Sequence, residues 1–161
     1  AVRRMVSLNM ITSYEAERKI PMFDAITCMA TAIFFEARGE PPVGRIAVAQ
    51  TIQQRVYDYR FPDNVCDVVK QGNYYSWDTS IPIKWECQFT FWCDGKPEKI
   101  DDMVAWGFAI DIAEAVMAGY LFDVTNGATH YHAHYVSPSW SEKFTRTVRI
   151  NDHIFYRWEH E

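Results

Sequence analysis

Apolar residues in the first half of the chain recur at helical spacing and predict a helix-rich fold. The first predicted helix begins at Asp24, a good N-cap, and carries apolar residues nearly all round, as a buried central helix does. Gly39 suits the position just past its end. Further helices are predicted over 43–58, over 64–70 with Asp63 or Asn64 as the cap, and from Asp101 or Asp102 to Gly119.

Alternating apolar and polar positions predict strands near the C-terminus. Residues 128–136 fit one strand, and 144–150 with 153–158 fit a hairpin closed by an Asn-Asp turn. Residues 71–100 look irregular and are rich in aromatic side chains, which either pack beneath the loop or face a ligand. The pattern therefore predicts an α+β domain, mainly α-helical, with a small antiparallel sheet near its C-terminus.

Length and charge narrow the class of protein. A chain of 161 residues predicts a single domain, here with residues 1–20 as an N-terminal extension containing a short helix. The formal net charge of −5 and the lack of a basic stripe argue against nucleic acid as a partner. No apolar run reaches transmembrane length, and the basic N-terminus lacks the hydrophobic stretch of a signal peptide. We expect a monomer without a membrane span.

The four cysteines, Cys28, Cys66, Cys87 and Cys93, allow several pairings. Cys28 lies within the apolar pattern of the first helix, which predicts a buried thiol. Cys87 and Cys93 flank a short aromatic segment and could form a bridge, or one of them could pair with Cys66. Because the sequence has no CxxC pair, it argues against a thiolate zinc site.

Glu36 lies at the end of the first predicted helix, among aromatic residues and just before a glycine. The negative end of the helix and the apolar neighbours both oppose ionisation, so both raise the pKa of this carboxyl. Cleavage of a glycosidic bond requires an acid that is still protonated near neutral pH. The alternative is an ordinary surface glutamate, since Arg38 nearby would lower the pKa. Glu40 is a candidate second carboxylate whose direction the sequence does not predict.

The segment from Gln88 to Asp94 carries groups that suit an N-acetyl sugar. In extended geometry Gln88, Thr90 and a tryptophan share one face, while Phe89 lies on the other. An amide and a hydroxyl beside an aromatic ring can hydrogen-bond to a sugar and stack against it. Asp94 forms a turn with the glycine that follows. The alternative is a plain hairpin edge with a disulfide.

Strand geometry also places His130, His132 and His134 on one face. Three imidazoles could ligate a zinc ion and leave a fourth position for water, as in a metal-dependent amidase or peptidase. Successive residues on one face of a strand rarely converge on a tetrahedral ion, and no HExxH motif is present. Hydrogen bonding in a cleft is therefore the preferred interpretation, and we predict no metal ion and no cofactor.

Several short motifs follow one another along the chain. They are Phe35-Glu36-Ala37-Arg38-Gly39-Glu40, Gly44-Arg45-Ile46-Ala47-Val48-Ala49, Arg55-Val56, Phe61-Pro62, Val65-Cys66-Asp67-Val68-Val69, Cys87-Gln88-Phe89-Thr90-Phe91, Cys93-Asp94-Gly95, Ala128-Thr129-His130-Tyr131-His132, Trp140 and Ile150-Asn151-Asp152-His153-Ile154-Phe155-Tyr156. In this order they resemble the cell wall hydrolase family typified by the spore-cortex-lytic enzyme SleB, over residues 24–157.

The resemblance implies a lysozyme-like fold, related to lytic transglycosylases, that acts on peptidoglycan glycan strands. It implies that Glu36 is the single catalytic acid for the bond between N-acetylmuramic acid and N-acetylglucosamine. The same carboxylate would then accept a proton from the C6 hydroxyl, which gives a 1,6-anhydro product and needs no second carboxylate. The alternative is a hydrolytic muramidase, in which water takes the place of the C6 hydroxyl. The predicted substrate-binding residues are Gln88, Phe89, Thr90, Asp94, His130, Tyr131 and His132.

The sequence departs from this family in two respects. Spore enzymes carry a signal peptide and a peptidoglycan-binding repeat domain, and they tend to have tyrosines where this chain has histidines. A bare catalytic domain is typical of a bacteriophage lysin, so we expect it to reach the bacterial cell wall through a membrane lesion or on a virion. Besides the metal-dependent amidase, the other alternative is a non-catalytic wall-binding or virion protein.

Overall fold

The computed structural model describes residues 24–160, which form four α-helices, five strands and two 3-10 turns. The predictions for residues 1–20 lie outside the described residues. The helices are α1 (Ala25–Ala37), α2 (Pro42–Tyr57), α3 (Val65–Val69) and α4 (Met103–Met117). The strands are β1 (Gly72–Tyr75), β2 (Asp78–Cys87), β3 (His130–Ala133), β4 (Thr145–Ile150) and β5 (His153–Arg157). The 3-10 turns are Thr90–Cys93 and Ser139–Glu142.

Helix α1 is the centre of the fold, as its apolar surface predicts. Its N-cap is Asp24, whose carboxylate accepts a hydrogen bond from the backbone N–H of Thr27 at 2.8 Å. The helix packs against α2, α3 and α4, and Met29, Ile33 and Phe34 are fully buried between them. Burial on all sides leaves only the end of α1 open to a ligand. No helix among residues 24–160 is long and apolar enough to cross a membrane.

The C-terminal sheet has the strand order β3-β5-β4 and is antiparallel throughout. The predicted hairpin is confirmed, and Asn151 in its turn has a φ of 51°, a left-handed conformation that asparagine tolerates. The predicted strand over 128–136 is correct in position but too long. Within that range only the four residues of β3 pair with β5, with His130 opposite Tyr156, because the chain turns away after Ala133.

The prediction that residues 71–100 are irregular is wrong in part, since β1 and β2 form an antiparallel hairpin. Residues 83–86 bulge outward, because Gly72 pairs with Cys87 and Tyr74 with Pro82, which leaves Asn73 alone opposite them. The strands approach closely at Gly72, where a Cβ would lie 2.6 Å from the carbonyl oxygen of Glu86. A bulge this large breaks the period-2 pattern by which a strand is predicted.

Two disulfides settle the cysteine pairing, and the prediction of a free buried thiol at Cys28 is wrong. Cys28 of α1 bonds to Cys66 of α3, and Cys87 at the end of β2 bonds to Cys93. The first bridge depends on α3 packing against α1, which the spacing of the cysteines does not reveal. The second holds the β1–β2 hairpin against the 3-10 turn Thr90–Cys93.

Candidate active site

A cleft of about 240 Å³ lies where the C-terminal end of α1 meets the C-terminal sheet. Helix α2 and the segment that follows β2 complete its walls. The residues that line it are Glu36, Arg55, Gln88, Phe89, Thr90, His130, Tyr131 and Trp140. These residues come from five separate parts of the chain, so the cleft exists only in the folded protein.

Glu36 reaches the cleft from the last turn of α1, and only part of its side chain is exposed. Burial raises the pKa of this carboxyl from 4.5 to about 7, and a hydrogen bond from Tyr131 partly offsets the effect. The expected aromatic surroundings are present next to Glu36, since the adjacent Phe35 stacks on Phe91 with ring centroids 5.1 Å apart. Arg38 does not neutralise Glu36, because its guanidinium pairs with Asp101 at 2.5 Å.

Tyr131 is the hydrogen-bond partner of Glu36. Burial, together with the neighbouring carboxylate, raises the pKa of Tyr131 well above its usual 10.0, so the phenol stays protonated and donates. Its ring packs on Phe155 in the sheet, with centroids 5.5 Å apart. The phenol thus offers a fixed donor to Glu36 once that group has lost its proton.

Arg55 is a residue of the cleft that the sequence prediction missed. It is only 5% exposed. Its Nε donates to the carbonyl oxygen of Thr129 at 2.7 Å, and its Nη1 donates to Oε1 of Gln88 at 3.4 Å. Burial lowers the pKa of Arg55 to about 10, so it remains a cation at neutral pH. Helical periodicity was the signal that could have revealed it, because Arg55 lies one turn after the buried Thr51 and therefore on the same face of α2.

Aromatic rings of β3 and of the 3-10 turn Ser139–Glu142 line part of the cleft. His130 lies 5.1 Å from Trp140, a second residue that the prediction missed, and 4.5 Å from Phe144, between ring centroids. Burial, with the nearby positive charge of Arg55, lowers the pKa of His130 to about 4, so its imidazole is neutral. This part of the cleft therefore offers flat apolar faces and a neutral hydrogen-bonding ring.

Six of the predicted site residues line the cleft: Glu36, Gln88, Phe89, Thr90, His130 and Tyr131. The predicted extended geometry is wrong, because Thr90 begins a 3-10 turn, although Phe89 is buried and Gln88 and Thr90 are exposed as expected. Asp94 lies outside the lining and accepts a hydrogen bond from the backbone N–H of Lys96 at 2.8 Å. The binding roles of all these residues remain predictions.

The three histidines of the proposed metal site have different surroundings. His132 lies outside the lining of the cleft, and its Nε2 is 2.9 Å from the hydroxyl of Tyr156. His134 follows β3 and lies 3.9 Å from a carboxylate oxygen of Asp152. Within residues 24–160, no group of three or more histidine, cysteine or acidic side chains is arranged to hold a metal ion. Nor does Glu40 line the cleft; its carboxylate lies 3.6 Å from His153.

Comparison with known proteins identifies the family. A family profile described as Cell Wall Hydrolase matches residues 39–156. The chain belongs to this family. The matched range of this cell wall hydrolase begins just after Glu36 and contains every other residue that lines the cleft.

Two curated relatives are named spore cortex-lytic enzyme. The one from Halalkalibacterium halodurans is 32% identical over 131 residues, which are 81% of this chain and 34% of the relative. The one from Oceanobacillus iheyensis is 48% identical over 44 residues, 27% of this chain and 16% of the relative. This cell wall hydrolase therefore spans about a third, or less, of the length of these relatives.

Two solved structures share the fold. The catalytic domain of the Bacillus cereus SleB protein aligns with a TM-score of 0.58 and 27% identity, over 83% of this chain and 89% of that one. The catalytic domain of the germination-specific lytic transglycosylase SleB from Bacillus anthracis gives a TM-score of 0.58 at 24% identity, over 83% and 93%. The predicted fold class of the cell wall hydrolase is confirmed.

Proposed function

We propose that this cell wall hydrolase cleaves the β-1,4 bond between N-acetylmuramic acid and N-acetylglucosamine in peptidoglycan, as a lytic transglycosylase. The observation that carries the proposal is the state of Glu36, a carboxyl in the cleft whose pKa of about 7 leaves about half of it protonated at neutral pH, where an ordinary glutamate is ionised. The names of the relatives, spore cortex-lytic enzyme and lytic transglycosylase, support the same chemistry.

In the first step, Glu36 is the general acid. Its carboxylic acid donates a proton to the glycosidic oxygen as the bond from C1 of N-acetylmuramic acid to that oxygen breaks. The N-acetylglucosamine then leaves with a free hydroxyl. The phenol of Tyr131 donates a hydrogen bond to the carboxylate that this step leaves behind.

In the second step, Glu36 is the general base. Its carboxylate takes the proton of the C6 hydroxyl as that oxygen bonds to C1, which closes a 1,6-anhydro ring and restores the acid. No water is consumed. Glu36 is the only carboxylate among the described residues that line the cleft, which supports a mechanism in which one residue serves twice.

The neutral groups of the cleft suit the acetamido sugars on either side of the bond. Gln88 and Thr90 offer an amide and a hydroxyl, and Trp140 offers a ring face. Arg55 holds Gln88 in place by its hydrogen bond of 3.4 Å. These residues are proposed to position the glycan, and Glu36 to carry the chemistry.

The test is digestion of purified sacculi by wild type and by Glu36→Gln, with products identified by mass spectrometry. Wild type should release 1,6-anhydro-muramyl products, and Glu36→Gln should be slower by about 100-fold to 10,000-fold, the usual contribution of a general acid. The matched control is Glu40→Gln, in the same segment but outside the cleft, which should retain wild-type activity. Products with reducing muramyl ends would show a hydrolytic muramidase instead, and full activity of Glu36→Gln would refute the proposal.

A further inference from the structure

A second cavity lies beside the cleft, at the base of the β1–β2 hairpin. Its volume is about 400 Å³, and Gln71, Asn73, Trp85, Glu86 and Gln88 are among the residues that line it. Gln88 lines the cleft as well, so the two cavities share this residue. A ligand that occupies both cavities would therefore contact Gln88.

The bulge in β2 brings Trp85 to this cavity. Residues 83–86 loop out from the ladder, and Trp85 within them has a φ of 66°, a left-handed conformation that is unfavourable for a bulky residue. Its side chain is nevertheless 61% exposed, so burial of the indole does not compensate for the strain. Strained backbone positions and β-bulges cluster at functional sites, and this one carries an exposed aromatic ring.

The disulfide between Cys87 and Cys93 fixes this arrangement relative to the cleft. Cys87 ends β2 directly after the bulge, and Cys93 ends the 3-10 turn that begins at Thr90. The bridge therefore ties the bulge that carries Trp85 to the turn that carries Thr90. A ligand that spans both cavities meets a surface already held in place.

Amide groups make up most of the polar lining of the cavity. Gln71, Asn73 and Gln88 supply them, and the side-chain oxygen of Gln71 is buried without a hydrogen-bond partner. The lining also contains the carboxylate of Glu86, and the ammonium of Lys84 lies 5.3 Å from the centroid of the Trp85 ring. Amides beside an exposed indole match an acetamido sugar.

We propose that this second cavity is a glycan subsite, in which Trp85 stacks on an N-acetylated sugar beyond the pair that flanks the scissile bond. The inference rests on the proposed function, since it takes the glycan strand as the ligand. The strand continues from the cleft, past Gln88, into the cavity. The subsite would favour long strands over short fragments.

The test is calorimetric binding of stem-free glycan strands, prepared from sacculi with an amidase, to proteins that all carry Glu36→Gln. Adding Trp85→Ala should weaken binding about tenfold, as expected for loss of one aromatic anchor. Alanine keeps a Cβ on the same backbone, so the strain at this position persists. The control is Trp77→Ala, on the same hairpin and 72% exposed but outside the cavity, which should bind as the parent does.

The outcomes separate this inference from the proposed function. A disaccharide, which can occupy only the sugars beside the scissile bond, should bind Trp85→Ala and its parent equally. Equal binding of long strands by the Trp85→Ala and Trp77→Ala proteins would overturn the subsite, as would an effect seen only with stem-bearing strands. If the wild-type protein released no glycan products from sacculi, the proposed function would fail by itself, whatever the binding data showed.

Discussion

Replacing Glu36 by glutamine should stabilise the folded protein above neutral pH while it removes the proposed activity. Burial holds the pKa of Glu36 near 7, against 4.5 for the ordinary group, so folding favours the protonated form. A tenfold change in an acid dissociation constant corresponds to about 1.4 kcal/mol, and the difference between these two values to about 3 kcal/mol. The buried carboxylate therefore costs the folded protein about 3 kcal/mol when it is fully ionised.

The sign of the pH dependence follows from proton binding. Between pH 4.5 and about 7 the folded state binds a proton at Glu36 that the unfolded state has lost, so stability falls as pH rises through this range. Below pH 4.5 both states are protonated and the contribution is fully present. Above pH 7 both are ionised and it is lost. Glutamine keeps a neutral side chain at every pH and avoids this loss.

The assay is urea unfolding of wild type and Glu36→Gln at pH 4 and at pH 8.5. The variant should gain about 3 kcal/mol relative to wild type between the two pH values. Glu114→Gln removes an exposed carboxylate from α4 and controls for the change in net charge. If the gain of Glu36→Gln were no larger than that of the control, the argument for a buried, protonated acid would be wrong.

Two further predictions concern the partner of Glu36 and the bridge of α1. Tyr131→Phe removes the hydrogen-bond donor that lowers the pKa of Glu36. Because a hydrogen bond to a charged group contributes about 1.5–3 kcal/mol, the alkaline fall in kcat/KM should move up by about one to two pH units. A pH profile that did not move would contradict this. Cys28→Ala with Cys66→Ala removes a bridge of sequence separation 38 and should lower the free energy of unfolding by about 4 kcal/mol in urea titrations; a loss below about 1 kcal/mol would contradict the pairing's structural role.

Local signals placed Glu36 correctly. An N-cap at Asp24 and an unbroken apolar pattern define where α1 begins and how far it runs, because capping and helical periodicity depend on near neighbours. The same signals put an acid among aromatic residues at the end of a buried helix. The raised pKa of Glu36 follows from that environment, and burial is its largest cause.

Signals of the same kind failed for the β1–β2 hairpin. Its bulge sets Asn73 alone opposite residues 83–86, so neither strand keeps the alternation that reveals a sheet. The exposure of Trp85 follows from this bulge rather than from its neighbours in sequence. The aromatic content of residues 71–100 indicated that rings there either pack in the interior or face a ligand, but it did not indicate which rings are buried and which are exposed.

Taken alone, the sequence determined that Glu36, the proposed proton donor, lies at the end of α1, because that helix is specified by residues close to it. Only the tertiary structure decided what surrounds that donor. The phenol of Tyr131, the guanidinium of Arg55 and the ring of Trp140 reach the same cleft from different elements. Their convergence depends on how α1, α2 and the C-terminal sheet pack, and the bond from Cys28 to Cys66 depends equally on the contact between α1 and α3. Contacts between distant segments are set by the fit of whole surfaces, which no local pattern encodes.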